Sequence, residues 1–197
     1  MEGELLLSEK IYIPCVEKYV DMSPKTFEKF CIELIKEQMK NIPDVVIEHD
    51  KCIKTVDGNY QIDGYIEFTV MGLHYKTIVE CKMYKNPVSR EKVQKLFDTL
   101  RATGAQKGIL ISTSNFQSGA ITYATNHGIS LIQITEAPTE IPMFLLNRIV
   151  DSASYYRLYN NGNPFIGVLL ESKEEGMITC QYLKHGNNNL AERILRE

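Results

Sequence analysis

No stretch of the 197 residues approaches the ~18 uninterrupted apolar positions that a membrane span requires. The acidic start Met1-Glu2-Gly3-Glu4, with only Leu5 to Leu7 behind it, lacks the basic and apolar regions of a signal peptide. A soluble, cytoplasmic protein with no membrane partner is therefore expected. Cysteine is sparse and odd in number: Cys15, Cys31, Cys52, Cys81 and Cys180 form no CxxC pair and no Cys/His cluster of zinc-ligand spacing. That excludes a disulfide framework and a structural zinc site, and leaves reduced, mostly buried thiols. His49, His74, His127 and His185 are scattered, and His74 reads as a surface residue rather than a ligand. No GxxxxGK[ST], GxSxG, HExxH or GxGxxG occurs, so phosphate-loop, serine-hydrolase, zincin and dinucleotide-binding readings lack support. With 12 Gly and 7 Pro and no low-complexity block, disorder and collagen are excluded too. What remains is one globular domain with room for an appendage.

The net charge of −3 argues against a chain that coats nucleic acid through bulk charge. Its distribution differs from its sum. Residues 76 to 107 hold eight Lys or Arg against Glu80, Glu91 and Asp98, a local +5 that leaves −8 for the rest. A phosphate-facing stripe and a solvated helix face would both produce this pattern.

Hydrophobic periodicity sets out a mixed α/β order. Ser23-Pro24 marks a helix start, with apolar residues at Phe27, Phe30, Cys31, Leu34 and Ile35 and an end near 41–43. Residues 45–48 read as a short strand. Period-two alternation over 60–70 and 73–82 predicts two strands joined by a turn at Met71-Gly72. Ser89 can cap a helix with the stripe Val93, Leu96, Phe97 and Leu100, closed by Gly104. A strand over 108–113, a helix from Ser114 or Asn115 through Ala124, and a strand over 129–134 imply a buried parallel pair with a right-handed crossover. Beyond Pro138, residues 143–150 look helical, 155–164 are rich in Tyr, Asn and Gly, and 165–170 with 177–183 predict another hairpin. This tail carries no motif; an extra layer, a dimer interface and a recognition element all remain open.

A two-residue turn at Met71-Gly72 pairs Asp63 with Glu80 across the hairpin. It also places Ile62, Gly64, Ile66, Phe68 and Val70 on one apolar face with Cys81, Val79, Thr77, Tyr75 and Leu73. The other face opposes Gln61, Asp63, Tyr65, Glu67 and Thr69 to Lys82, Glu80, Ile78, Lys76 and His74. Glu67 opposite Lys76 is an ordinary favourable pair, whereas two carboxylates with Cβ atoms about 5 Å apart destabilise a sheet unless something compensates. Mg²⁺, which takes one or two carboxylates plus water and phosphate oxygens, would do so. Lys82 projects from the same face, and two carboxylates, a hard cation and an ammonium are what phosphodiester hydrolysis needs. A plainly solvated polar face is the other reading. Glu28 and Glu33 on the first helix are further candidates.

These residues, in order, resemble the Mrr-like restriction endonucleases of the PD-(D/E)xK nuclease superfamily. The resemblance runs from Ser23 to Ile134 through Ser-Pro-x-x-Phe-Glu at 23–28, Gln-Ile-Asp-Gly at 61–64, Val-Glu-Cys-Lys-Met-Tyr at 79–84, Gly-Ala-Gln-Lys-Gly at 104–108, Thr-Ser-Asn-Phe at 113–116 and Ala-Ile-Thr-Tyr-Ala at 120–124. It implies a restriction-endonuclease-like core: a helix, a mixed sheet with a central hairpin, then helix-strand-helix-strand, followed by a C-terminal α+β extension. The implied division is 1–22 as an N-terminal segment, 23–137 as the nuclease core and 138–197 as the extension. The resemblance further implies that Asp63 and Glu80 bind the metal, that Lys82 is the catalytic lysine, and that Glu28 is the first-helix glutamate. Relatives often carry Gln where this chain has Glu80, and tend to be Gly-rich where it reads Asp57-Gly-Asn-Tyr-Gln61.

The expected activity is a Mg²⁺-dependent DNA endonuclease of restriction or phage-defence type, with Mn²⁺ able to substitute. Lys85, Arg90 and Lys92 are expected to contact DNA phosphates, and a homodimer is expected because one site cuts one phosphodiester. A junction-resolving or repair nuclease is the near alternative. A nuclease-like DNA- or protein-binding module without activity is the alternative of another class.

Overall fold

The computed structural model describes residues 22–136, 165–173 and 177–196. The expected helix at 143–150 and the Tyr/Asn/Gly-rich stretch lie outside them. Helix α1 (Pro24–Met39) begins where expected: the Ser23 hydroxyl accepts the Thr26 N–H at 3.2 Å and proline takes the first helical position. Its buried stripe is Phe27, Cys31, Ile32, Ile35 and Met39. Three strands follow, β1 (Val46–Thr55), β2 (Gly58–Val70) and β3 (Leu73–Lys82), then α2 (Arg90–Thr103), β4 (Lys107–Ser112), α3 (Ser118–Asn126) and β5 (Ile129–Glu136). The C-terminal part adds β6 (Phe165–Ser172), β7 (Ile178–Leu183) and a short α4 (Asn189–Leu195).

All seven strands form one sheet in chain order, with β3-β4 and β4-β5 parallel and every other pair antiparallel. α1 and α4 share one core with residues such as Ile66, Phe68, Val79 and Ile109, while α2 and α3 share the other with Tyr65, Ile78, Leu110 and Leu131. The sheet is therefore covered on both faces, which explains the uncharged runs 108–112 in β4 and 129–135 in β5. No described helix is long and apolar enough to cross a membrane.

Several elements differ from the sequence reading. β1 reaches Thr55 rather than residue 48, because its second half is a polar edge strand whose Lys51 and Lys54 hide the period. α3 starts at Ser118, four residues past Ser114, with Gln117 at its cap. α4 was not anticipated.

The β2–β3 register agrees with the expected one from Gly64↔Val79 to Val70↔Leu73. Its two turn residues have φ of 52° (Met71) and 79° (Gly72), the left-handed pair that lets a two-residue turn follow strand twist. Below Gly64 the expected faces fail. Asp50 in β1 has φ 57°, and the ladder pairs His49↔Gly64 and Lys51↔Ile62 flank it and Asp63. Past this gap in the ladder Ile62 leaves the face of Gly64, Ile66 and Phe68 and joins Tyr65 and Ile78 in the other core. Tyr65 and Ile78 are buried under α2 and α3, so this face is not simply solvated. Glu67 faces Lys76 in register, yet its carboxylate takes His74 Nε2 at 2.8 Å and the Tyr65 hydroxyl at 3.3 Å.

The C-terminal segment is tied to α1 by one buried side chain. Gln38, 1% exposed, donates to the Lys184 carbonyl at 3.0 Å and to Asn187 Oδ1 at 2.8 Å, and accepts the Leu190 N–H at 3.3 Å. Gln38→Ala leaves these partners unsatisfied and is expected to cost about 1–3 kcal/mol in urea unfolding. A loss within error would mean that water replaces the amide there.

Candidate active site

Neighbouring strands bring Asp63, Glu80 and Lys82 together. β3 is held on both sides, antiparallel to β2 and parallel to β4 through Glu80↔Leu110, Cys81↔Ile111 and Lys82↔Ser112. This ladder fixes Glu80 and Lys82, two residues apart, on one face of a central strand. Asp63 arrives from β2 where the β2–β3 ladder has ended. Its Oδ2 accepts the Cys81 backbone N–H at 2.7 Å instead of facing Glu80 in a ladder pair. Gly64 is glycine because α1 lies on it: a Cβ there would stand 2.6 Å from Ile32 Cδ1 and 3.1 Å from Val79 Cβ.

Lys82 Nζ lies between the two carboxylates, 3.2 Å from Asp63 Oδ2 and 2.7 Å from Glu80 Oε2. The compensation sought for two like charges is thus supplied within the protein by the ammonium. Burial pushes the Glu80 carboxyl above its ordinary range and the Asp63 charge adds to this, while the Lys82 hydrogen bond and charge and, more weakly, Lys95 oppose it. Burial alone would lower Lys82, but Glu80 and then Asp63 outweigh it and hold the ammonium protonated.

A proton on Glu80 is bound more tightly in the fold than in the unfolded chain. Its stabilising contribution is therefore complete below the ordinary value of 4.5 and is lost as pH rises through the higher folded value. Without divalent ions, wild type is expected to lose stability relative to Glu80→Gln between pH 4.5 and 7, read as urea midpoints. A relative gain over that range would mean that Glu80 is stabilised as the anion.

Glu28 does not join these three. Its Oε2 lies 3.5 Å from His49 Nε2, and His49 is the register partner of Gly64, the residue after Asp63. Glu33 pairs with Lys36 on the surface. Lys85 and Lys92 line a pocket just beyond Lys82, whereas the Arg90 guanidinium lies 5.0 Å from the centre of the Tyr123 ring. His49 and Lys95 were missed by sequence reasoning. His49 lay past the expected end of its strand, and for Lys95 the available signal was its place one helical turn beyond Lys92.

The described residues hold no group of three or more His, Cys, Asp and Glu suited to a metal. Two carboxylates with 19–20% of their side chains exposed nevertheless match the donor set of Mg²⁺, which completes its shell with water and phosphate oxygens. Asp63 and Glu80 are the residues that could hold it.

The chain is 28% identical over 111 residues to the type IV methyl-directed restriction enzyme EcoKMrr of Escherichia coli K12, a match covering 55% of this chain and 34% of that protein. It thus spans about a third of that relative's length. Among solved structures it is similar to the DNA modification-dependent restriction endonuclease AspBHI, with TM-score 0.42, 21% identity and coverage of 55% of this chain and 28% of that one. It is also similar to the MspJI restriction endonuclease in complex with a 27-mer oligonucleotide, with TM-score 0.36, 17% identity and coverage of 53% and 24%. The model of the restriction endonuclease family Mrr_cat matches residues 19–137, which hold Asp63, Glu80 and Lys82. Over that span, more than half of its length, the chain belongs to the Mrr-type restriction endonuclease family.

Proposed function

We propose that this chain is a divalent-metal-dependent endonuclease that hydrolyses DNA phosphodiester bonds in the restriction of foreign or modified DNA. The observation that carries the reading is the constellation of Asp63, Glu80 and Lys82 at the end of β3, two carboxylates bridged by one ammonium. Membership of the Mrr-type family supports it. Asp63 and Glu80 hold Mg²⁺, or Mn²⁺ in its place; when bound, the ion polarises the phosphoryl oxygen and lowers the pKa of its water. Asp63 is oriented for this by the Cys81 N–H. The protonated Lys82 orients the attacking water and offsets charge developing on the phosphoryl oxygens. Residues 23–137 perform the chemistry in the cytoplasm, and β6 and β7 of the C-terminal segment extend the sheet. Cutting both strands of a duplex takes two such sites, hence a homodimer.

Methylated duplex is the first substrate to test, since EcoKMrr is described as methyl-directed. The experiment offers methylated, unmethylated and branched DNA to the protein in Mg²⁺, Mn²⁺ or EDTA. Cleavage of methylated duplex only with metal supports restriction of modified DNA, and preferential cutting at branches would favour a junction-resolving role. DNA binding that survives EDTA with no cleavage of any form would replace the enzyme with a binding module.

A further inference from the structure

The loop between β3 and α2, which follows Lys82 in the chain, forms an open pocket of about 250 Å³ walled by Tyr84, Lys85 and Asn86 and by the entry of α2 at Ser89 and Lys92. At about 30 Å³ per water this is room for about eight waters, the scale of one sugar–phosphate unit and too small for a base pair. The loop is pinned from behind. Thr113 Oγ1 donates to the Tyr84 carbonyl at 3.0 Å, Val88 N–H to the Asn115 carbonyl at 2.9 Å, and Gln117 N–H to the Val88 carbonyl at 3.0 Å. Val88 itself is 2% exposed, so the loop is anchored in the packed fold.

Two lysines and no carboxylate line this pocket. Ser89 stands at the N-cap of α2, yet its side chain makes no capping hydrogen bond. Lys95 follows Lys92 on the same face of α2, about 4.5 Å further along the axis. Both are exposed, and the Lys95 charge reaches Glu80. Lys92 at the pocket and Lys95, whose charge reaches Glu80, thus link the pocket to the carboxylate pair along one face of α2. Residues one helical turn apart have Cβ atoms about 5–6 Å from one another, and the long lysine stems let both ammonium groups reach neighbouring phosphates of one strand.

We propose that this pocket is a nucleotide subsite of the cleavage centre, seating the DNA sugar–phosphate next to the scissile phosphate, with Lys92 and Lys95 gripping consecutive backbone phosphates. The inference rests on Asp63, Glu80 and Lys82 being that centre. It adds Lys95 to the substrate contacts and gives the loop after β3 a task in placing the strand to be cut.

The test is single-turnover cleavage of a duplex with a mapped cut site, in which neutral methylphosphonate linkages replace the flanking phosphates one at a time. Wild type is compared with Lys92→Ala, Lys95→Ala and the double variant, and with Lys36→Ala as an exposed-lysine control. Alanine favours helix at these exposed positions, so folding is retained and is checked by circular dichroism. Wild type should lose about tenfold at one or two adjacent linkages. The double variant should cut the all-phosphate duplex about tenfold more slowly and lose nothing further at those linkages, the non-additivity of partners in contact. The slope of log binding constant against log salt should fall by about 0.9 per lysine. Additive losses, or lysine variants that cut like wild type, overturn the subsite while leaving the cleavage centre in place. Absence of cleavage by wild type on every DNA form removes the centre and the subsite with it.

Discussion

Asp63→Asn is expected to lower DNA cleavage by about 10³-fold while the protein stays folded. The amide oxygen of asparagine can still accept the Cys81 N–H that Asp63 Oδ2 now takes at 2.7 Å, so the junction of β2 and β3 keeps its hydrogen bond. What disappears is the negative charge, and with it one of two carboxylates available to a divalent cation. Calorimetric titration with Mg²⁺ or Mn²⁺ should show binding weakened in step with activity. Normal metal affinity alongside lost cleavage would assign Asp63 to orienting Lys82 or water rather than to holding the ion.

Lys82→Ala is expected to separate the two properties. Cleavage falls by about 10²- to 10³-fold because the group that offsets transition-state charge is gone. Metal binding persists or tightens, because the ammonium that now sits 2.7 Å from Glu80 and 3.2 Å from Asp63 no longer competes for the carboxylates. The metal-free variant should be less stable than wild type, since burial already disfavours the Glu80 anion and the like charge of Asp63 is left without its counterion. Added Mg²⁺ should restore more stability to the variant than to wild type, read as a larger rise in Tm. If Lys82→Ala lost metal binding together with cleavage, the lysine would be holding the site's shape rather than serving chemistry.

Much of this arrangement was legible in the residues because it is written in short-range patterns. A two-residue turn at Met71-Gly72 and strict alternation on both sides suffice to set the β2–β3 register, and with it the proximity of Asp63 to Glu80 and Lys82. Ser23-Pro24 starts α1 by local capping chemistry, and the apolar runs in β4 and β5 announce burial on both faces. Elsewhere local pattern and tertiary context diverge. The alternation of β2 breaks at Asp63, opposite the left-handed Asp50 of β1, so Ile62 lies in the other core from Ile66 and Phe68, and the sequence pattern carries no trace of that. The second half of β1 is a charged edge strand, so its ladder to β2 is stabilised by backbone pairing that side-chain periodicity does not reveal.

The contacts around the site follow the same division. Lys82 was recognisable by its spacing from Glu80, but its place between the two carboxylates depends on Asp63 bending toward the Cys81 N–H. Glu28 reaches His49 only because α1 lies across β1 and β2, and Lys95 approaches Glu80 only because α2 packs on the other face. Long-range proximities of this kind have no signature in a single chain's spacing. Gln38 makes the same point at the far end of α1: nothing marks it as buried until the C-terminal segment closes over it.

The central claim is that Asp63, Glu80 and Lys82 form a metal-dependent phosphodiesterase centre. Its most direct test follows nicking of supercoiled, methylated plasmid by one preparation of wild type, silent in EDTA and then given excess Mg²⁺, beside Asp63→Asn treated identically. The account predicts that nicked and linear DNA accumulate only after Mg²⁺ is added, and only with wild type. Equal cutting in EDTA, or by Asp63→Asn, would contradict it.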